Sequence, residues 1–223
     1  MHIHISNFTF GIALLVSLSS CAQKSNSSKA SSTKKNIITM SADTKLDTIT
    51  LGGGCFWCTE AIFQRLNGVI SVESGYSGGK AKNPTYKEVC TGLTGHAECT
   101  QIAYNPDTVS LAEILQVFFK THDPTTPNRQ GNDEGTQYRS VIFYRNEEQK
   151  KVAEDIKQGL DKSGAYNDPI VTEITPFTVF YKAEDYHQNY FNQNKSSNPY
   201  CTYVIIPKVE KFEKYFADKL KKQ

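Results

Sequence analysis

The sequence predicts an α+β domain, a mixed sheet packed with helices, running from Asp47 to the C-terminus. Three observations carry this reading. Strand-like runs at 48–51, 69–76, 98–104 and 140–144 are interleaved with segments of helical apolar spacing at 56–66, 111–120, 147–160 and 183–191. Their order lacks the regular strand-helix rhythm of a doubly wound parallel sheet. The chain of 223 residues is 38% hydrophobic and 22% charged, which is enough apolar material for the core of one ordinary domain.

Residues 1–46 have a different character. Phe8 to Leu18 (FTFGIALLVSL) is apolar but well short of the ~20 residues a membrane-spanning helix requires, so it reads as the core of an export signal. Leu18-Ser19-Ser20-Cys21 follows at once and resembles the lipobox of bacterial lipoproteins. That resemblance implies an export signal over 1–20, lipidation at Cys21, and a protein held in the bacterial cell envelope through its lipid anchor. Residues 21–46 contain a Ser/Lys stretch (QKSNSSKASSTKK) too polar to fold, suited to a tether between membrane and folded domain. The folded part is predicted to span 47–223.

Within it, Thr48 to Leu51 alternates and runs into three glycines, the pattern of a strand ending in a tight connection. Cys55 comes next, and Trp57, Ala61, Ile62 and Leu66 then fall at helical spacing, which puts Cys55 at or beside a helix N-terminus. Val69 to Tyr76 and Glu98 to Tyr104 are read as strands. Leu111 to Lys120 reads as a helix opened by Ser110 as N-cap. Ser140 to Tyr144 is a further strand, Glu147 to Leu160 a charged amphipathic helix, and Ala183 to Phe191 the last core helix. The stretch 121–137, with Pro124, Pro127, Gly131 and Gly135, is predicted to be a long functional loop.

A formal net charge of +2, without a Lys/Arg stripe interleaved with aromatics, argues against nucleic acid as a partner. The glycines before Cys55 lack the Lys-Ser/Thr ending of a phosphate loop and the spacing of a dinucleotide fingerprint, which argues against a nucleotide cofactor. Of six cysteines, an acylated Cys21 would leave Cys55, Cys58, Cys90, Cys99 and Cys201, an odd number that leaves at least one thiol unpaired. In Gly52 to Cys58 (GGGCFWC) the first thiol follows a strand and starts a helix, where unpaired N–H groups and the helix dipole favour thiolate. Cys55 is therefore the candidate nucleophile.

Further blocks make the identity of the chemistry specific. GGGCFW at 52–57 is followed by GYSGG at 75–79, NPTY at 83–86, TGHAE at 94–98, HDPTTPNRQGND at 122–133, GTQYRS at 135–140 and AEDYHQNY at 183–190. In this order they resemble the A-type peptide methionine sulfoxide reductases, and the form GCFWC occurs in part of that family. The resemblance implies a ferredoxin-like two-layer core, a monomer, no cofactor and no metal. It implies that Cys55 attacks the sulfoxide sulfur while Glu98, assisted by the hydroxyls of Tyr86 and Tyr138, serves the sulfoxide oxygen and Asp133 helps orient the site. A sulfoxide oxygen leaves only when its developing charge meets a proton or strong donor, so Glu98 must be buried enough to stay protonated. Phe56 and Trp57 would form the aromatic wall that receives the S-methyl group. His96, His122 and His187 lie in matching blocks and are assigned no catalytic role.

Attack would leave Cys55 as a sulfenic acid, which a second thiol resolves to a disulfide. Cys58, three residues on, is the preferred resolver, and Cys201 in Asn198-Pro199-Tyr200-Cys201 is the second choice or an outward relay. A thioredoxin-like donor would then reduce the disulfide. Two other readings compete: a thioredoxin-like disulfide oxidoreductase built on CFWC, and a zinc module using Cys55, Cys58 and two of Cys90, His96 and Cys99. The first leaves TGHAE and GNDEGTQYRS without a purpose. The second has only one short-spaced cysteine pair.

Overall fold

Strand β1 (Asp47–Gly53) is half-buried at its first two residues and buried from Ile49 onward, as a strand inside the sheet is, and the glycines at its end let neighbouring side chains approach the backbone. The structure, a computed structural model, describes residues 45–222; the export signal, Cys21 and all but the last residues of the tether lie outside the described residues. Helix α1 (Phe56–Phe63) follows, then β2 (Val69–Ser77), the short α2 (Tyr86–Cys90), β3 (Ala97–Tyr104) and α3 (Leu111–Thr121). The loop expected at 121–137 carries a two-residue ribbon, β4 (Arg129–Gln130) with β5 (Asp133–Glu134), and a single 3-10 turn over Thr136–Tyr138. After it come β6 (Ser140–Tyr144), α4 (Glu147–Ser163), β7 (Glu173–Pro176), β8 (Phe180–Lys182), α5 (Tyr190–Asn194), a π-turn at Cys201–Ile205, and α6 (Ile206–Tyr215).

The main sheet has the order β7-β6-β1-β3-β2-β8. Every neighbouring pair is antiparallel except β6 with β7, so the sheet is mixed, and the α+β class predicted from the sequence is observed. Apolar side chains of β1 (Ile49, Leu51) and β3 (Ile102, Tyr104) meet those of α1 (Ile62, Phe63), α3 (Phe118) and α6 (Phe212) in one buried cluster. Capping explains where the helices begin and end. Thr85 and Ser110 each form a capping box, with Glu88 and Glu113, of a kind that stabilises a helix start by about 1 kcal/mol. Asn146 caps α4, and Gly164 in the left-handed region ends it, three residues later than the apolar pattern indicated.

Two expectations need correction. The predicted helix at 183–191 does not form: Asp185–His187 is one 3-10 turn, Asn189 sits at φ 53°, and α5 starts only at Tyr190. Long-range partners override local helical spacing here. The Gln188 side chain pairs with both the N–H and C=O of Ser74, and Glu60 takes the N–H groups of Asn189 and Tyr190. The last core helix is instead α6, which buries Val209 and Phe212 and packs on α1 and α3. The second correction concerns α1, which stops at Phe63 and is buried on nearly every side, including Glu60, whereas the helical spacing in the sequence ran on to Leu66.

Candidate active site

The site is built where β1 hands over to α1. Gly54, at φ +91°, makes the turn, and a Cβ there would stand 2.5 Å from Cγ of Gln130, so this position accepts only glycine without rearrangement. Cys55 is the N-cap residue of α1 and is 6% exposed. Its carbonyl accepts the N–H of Cys58 at 3.1 Å, the first turn of the helix. The sequence-predicted position at a helix start is observed.

Glu98 enters from β3, two residues before Thr100, the partner of Leu51 in β1. It is 1% exposed, and its Oε2 accepts the backbone N–H of Phe56, the residue after Cys55, at 3.1 Å. Burial pushes its carboxyl up to about 8; the Phe56 hydrogen bond works against this, and the neighbouring Asp133 and Cys58 add to it. Near neutral pH Glu98 therefore carries its proton. Tyr86 opens α2 and Tyr138 closes the 3-10 turn, and both phenols are pushed up by burial and by Glu98, so each remains a hydrogen-bond donor.

The thiols depart from the sequence expectation in one respect. Burial, followed by the hydrogen bond and charge of Cys58 and the charge of Glu98, raises the Cys55 thiol well above its ordinary value, against the backbone N–H of Trp57. Cys58, whose sulfur accepts a hydrogen bond from the Cys55 thiol and lies 3.8 Å from Nζ of Lys208, is brought down to about 7 despite its burial. Within the hydrogen-bonded pair, ionisation near neutral pH therefore favours Cys58 over Cys55. The helix N-terminus alone does not overcome the desolvation of Cys55.

Around the sulfurs stands an aromatic cage. Phe56 is fully buried, with ring centroids 5.1 Å from His187, 5.9 Å from Tyr76 and 6.4 Å from Tyr86. Trp57 is half-buried, stacks on Tyr190 at 3.7 Å and 7°, and donates from Nε1 to Nδ1 of His187 at 3.1 Å. Of the two predicted wall residues, Trp57 therefore presents surface and Phe56 backs it. Asp133, on β5, accepts the Tyr200 hydroxyl at 2.6 Å, and that hydroxyl lies 4.0 Å from the Cys58 sulfur.

Several residues of this site were not singled out by sequence reasoning: Glu60, Glu184, Tyr190, Tyr200 and Lys208. Glu184 accepts the Tyr76 hydroxyl and the Tyr86 N–H, each at 2.9 Å, and so fixes the start of α2. The block AEDYHQNY signalled that this segment matters but not which partner each side chain finds. His122 bonds to Phe118 O and Ser140 Oγ, and His96 to Gly79 N–H and Ala81 O, which are structural roles. His187 Nε2 has no hydrogen-bond partner and lies 3.9 Å from Oε2 of Glu184.

Cys201 is fully buried in the π-turn, and burial followed by the charge of Cys58 raises its thiol. Cys90 is exposed and Cys99 donates to Gly75 O. Cys55, Cys58, Cys90, Cys99 and Cys201 are all free thiols. Among the described residues no group of three or more His, Cys, Asp and Glu side chains is arranged to hold a metal ion, and no helix is long and apolar enough to cross a membrane.

This geometry agrees with what the chain is similar to. The profile of one family, described as "Peptide methionine sulfoxide reductase", matches residues 47–220. A "Peptide methionine sulfoxide reductase MsrA" of Saccharolobus solfataricus is 57% identical over 176 residues, 79% of this chain and 98% of the relative. A protein of the same description from Trichodesmium erythraeum is 53% identical over 175 residues, 78% of this chain and 98% of its own. Among solved structures, reduced Mxr1 of Saccharomyces cerevisiae superposes with a TM-score of 0.64 at 37% identity, covering 70% of this chain and 90% of that one. Methionine sulfoxide reductase A of Corynebacterium diphtheriae gives 0.62 at 36%, covering 69% and 77%. With a cysteine at a helix start beside a buried, proton-bearing glutamate, and with identity above one half across nearly the whole length of these relatives, the chain belongs to the peptide methionine sulfoxide reductase family.

Proposed function

We propose that this protein reduces the S epimer of methionine sulfoxide, in proteins and as the free amino acid, to methionine. The observation that carries the reading is the placement of Glu98, buried and protonated, on the peptide that follows Cys55. Cys55 Sγ attacks the sulfoxide sulfur and passes its proton to Cys58, while Glu98 gives its proton to the sulfoxide oxygen. The oxygen ends on Cys55 as a sulfenic acid, the substrate sulfur gains two electrons, and methionine leaves. Tyr86 and Tyr138 donate to the same oxygen, Trp57 and Phe56 hold the S-methyl group, and Asp133 orients Tyr200 at the rim. An assay on separated epimers with dithiothreitol tests this: the S epimer is consumed and the R epimer is not. Equal consumption of both, or of neither, overturns it.

Cys58 closes the disulfide with Cys55, since both sulfurs are buried and already hydrogen-bonded, and Cys201 is the second choice. A thioredoxin-like donor restores the thiols. The sequence GCFWC supports placement in the subgroup that resolves through this nearby cysteine. A ferredoxin-like core is supported by the strand sequence β6-β1-β3-β2 within the sheet, with α1 and α3 as crossovers. The apolar run FTFGIALLVSL and the LSSC that follows support export and a lipid anchor at Cys21 in the bacterial envelope. Incorporation of labelled fatty acid, lost in Cys21→Ser, tests the anchor. Elution at the mass of one chain tests the monomer.

A further inference from the structure

Cys58 must be nucleophilic to close a disulfide, and the groups facing it are unevenly arranged. Cys55 adjoins it at the start of α1, Glu98 comes from β3, Asp133 from β5, Tyr200 and Cys201 from the segment entering the π-turn, and Lys208 from α6. Glu98 is neutral near pH 7, and Asp133 opposes a thiolate. Tyr200 stands 4.0 Å from the sulfur, but its single proton goes to Oδ2 of Asp133 at 2.6 Å, a far shorter contact. A hydroxyl has one proton to give, so Tyr200 is not the donor that holds Cys58 ionised. Lys208 has three, and its Nζ lies 3.8 Å from the sulfur.

Lys208 reaches Cys58 from a cleft at the surface. Cys58 is 2% exposed, and Lys208 lines a cleft of about 270 Å³ together with Gln130, Asp133, Tyr200 and Tyr203. Once Cys55 has become a sulfenic acid it no longer gives Cys58 a thiol hydrogen bond of the same kind, and the ammonium is then the remaining charged donor on that sulfur.

The geometry points to Lys208 as a positioning residue for the resolving step: its ammonium favours release of the proton that Cys58 took from Cys55 and holds the resulting thiolate beside Cys55, so that the sulfenic acid is closed quickly to a disulfide. This rests on the reductase reading given above. In the step, the Cys58 sulfur bonds to the Cys55 sulfur and the S–O bond breaks. Hydroxide leaves and takes up one proton, equal to the one Cys58 released on ionising, to depart as water. Cys58 is oxidised to the disulfide level, and Cys55 is lowered to it from the sulfenic acid.

The test uses full-length protein with Lys208→Gln, Lys208→Met and Lys208→Arg. The pH dependence of Cys58 alkylation by iodoacetamide, followed by peptide mass spectrometry, reads its ionisation directly. The midpoint is expected to move up by about 1–2 pH units in the Gln and Met variants and to stay near wild type in Arg, because an opposite charge at this distance shifts a thiol by roughly that much. After mixing with methionine S-sulfoxide at pH 7, dimedone should trap about ten times more Cys55 sulfenic acid in the Gln variant than in wild type. That excess should vanish above pH 9, where Cys58 ionises unaided. An unmoved midpoint, or a closure defect of the same size at every pH, overturns the role. If wild type itself forms no sulfenic acid from the sulfoxide, the reductase reading fails, while the alkylation midpoints still decide the role of Lys208.

Discussion

The backbone N–H of Phe56 donates to Oε2 of Glu98 at 3.1 Å, which ties the acid to the peptide immediately after the nucleophile. The bond fixes the carboxyl relative to Cys55 and by itself would favour the carboxylate. Burial is the larger influence and keeps the proton on. One contact thus positions an acid, and the surrounding apolar packing decides its protonation.

The activity should follow a bell-shaped pH profile. Its rising limb, near 7, reflects ionisation of the Cys55–Cys58 pair, and its falling limb, near 8, reflects loss of the Glu98 proton. In Glu98→Gln the falling limb disappears, because the amide donates without titrating, and kcat/KM at pH 7 drops about 10²-fold. Glu98→Ala is expected to be lower by a further factor of about ten. Measuring kcat/KM from pH 5 to 10 checks this; a falling limb retained in Glu98→Gln would show that another group supplies the proton.

Cys55→Ser should form no methionine, since a hydroxyl at this site stays protonated. Cys58→Ser should release one equivalent of methionine per chain and then stall with a thioredoxin-like reductant. Quenched time courses with enzyme in excess measure both. Sustained turnover of Cys58→Ser, lost when Cys201→Ser is added, would transfer the resolving role to Cys201.

Trp57→Phe removes the Nε1–H that Nδ1 of His187 accepts, and Nε2 of that buried ring already lacks a partner. Leaving a buried acceptor unpaired costs about 1–3 kcal/mol, and the smaller ring stacks less fully on Tyr190. Urea unfolding should show that loss, accompanied by a KM raised several-fold with a smaller change in kcat. An unchanged KM would place the methyl-binding surface elsewhere.

Glu60 is pushed up to about 7 from 4.5, by burial first and against the N–H groups of Asn189 and Tyr190. The native state therefore binds more protons at this group than the unfolded chain between those two values. Its contribution is fully present below about 4.5 and declines as pH rises through about 7. Glu60→Gln carries no such dependence, so the stability of wild type relative to this variant should fall by about 1–3 kcal/mol between pH 4.5 and 8. Denaturant titrations of both proteins across that range provide the measurement, and a constant difference would mean that Glu60 is not titrating there.

The α+β class, the placement of Cys55 at a helix start and the blocks that contain the site were legible in the amino-acid sequence. Those features are local: period-two and helical spacing, a glycine turn, the Ser110 cap and contiguous motifs all act within a few residues. Even there the boundaries were set by distant contacts, as at 183–191, where Ser74 and Glu60 take the backbone and side-chain bonds a helix would have used internally. The family motif already pointed to Glu98 as the buried acid, but what buries it, and which sulfur is favoured for ionisation, are visible only in the folded chain. Both depend on groups far apart in the chain, Glu98 beside Phe56 and Lys208 beside Cys58, and on how completely packing removes water from them. Desolvation and the Coulomb field act through space, so spacing along the chain does not reveal them.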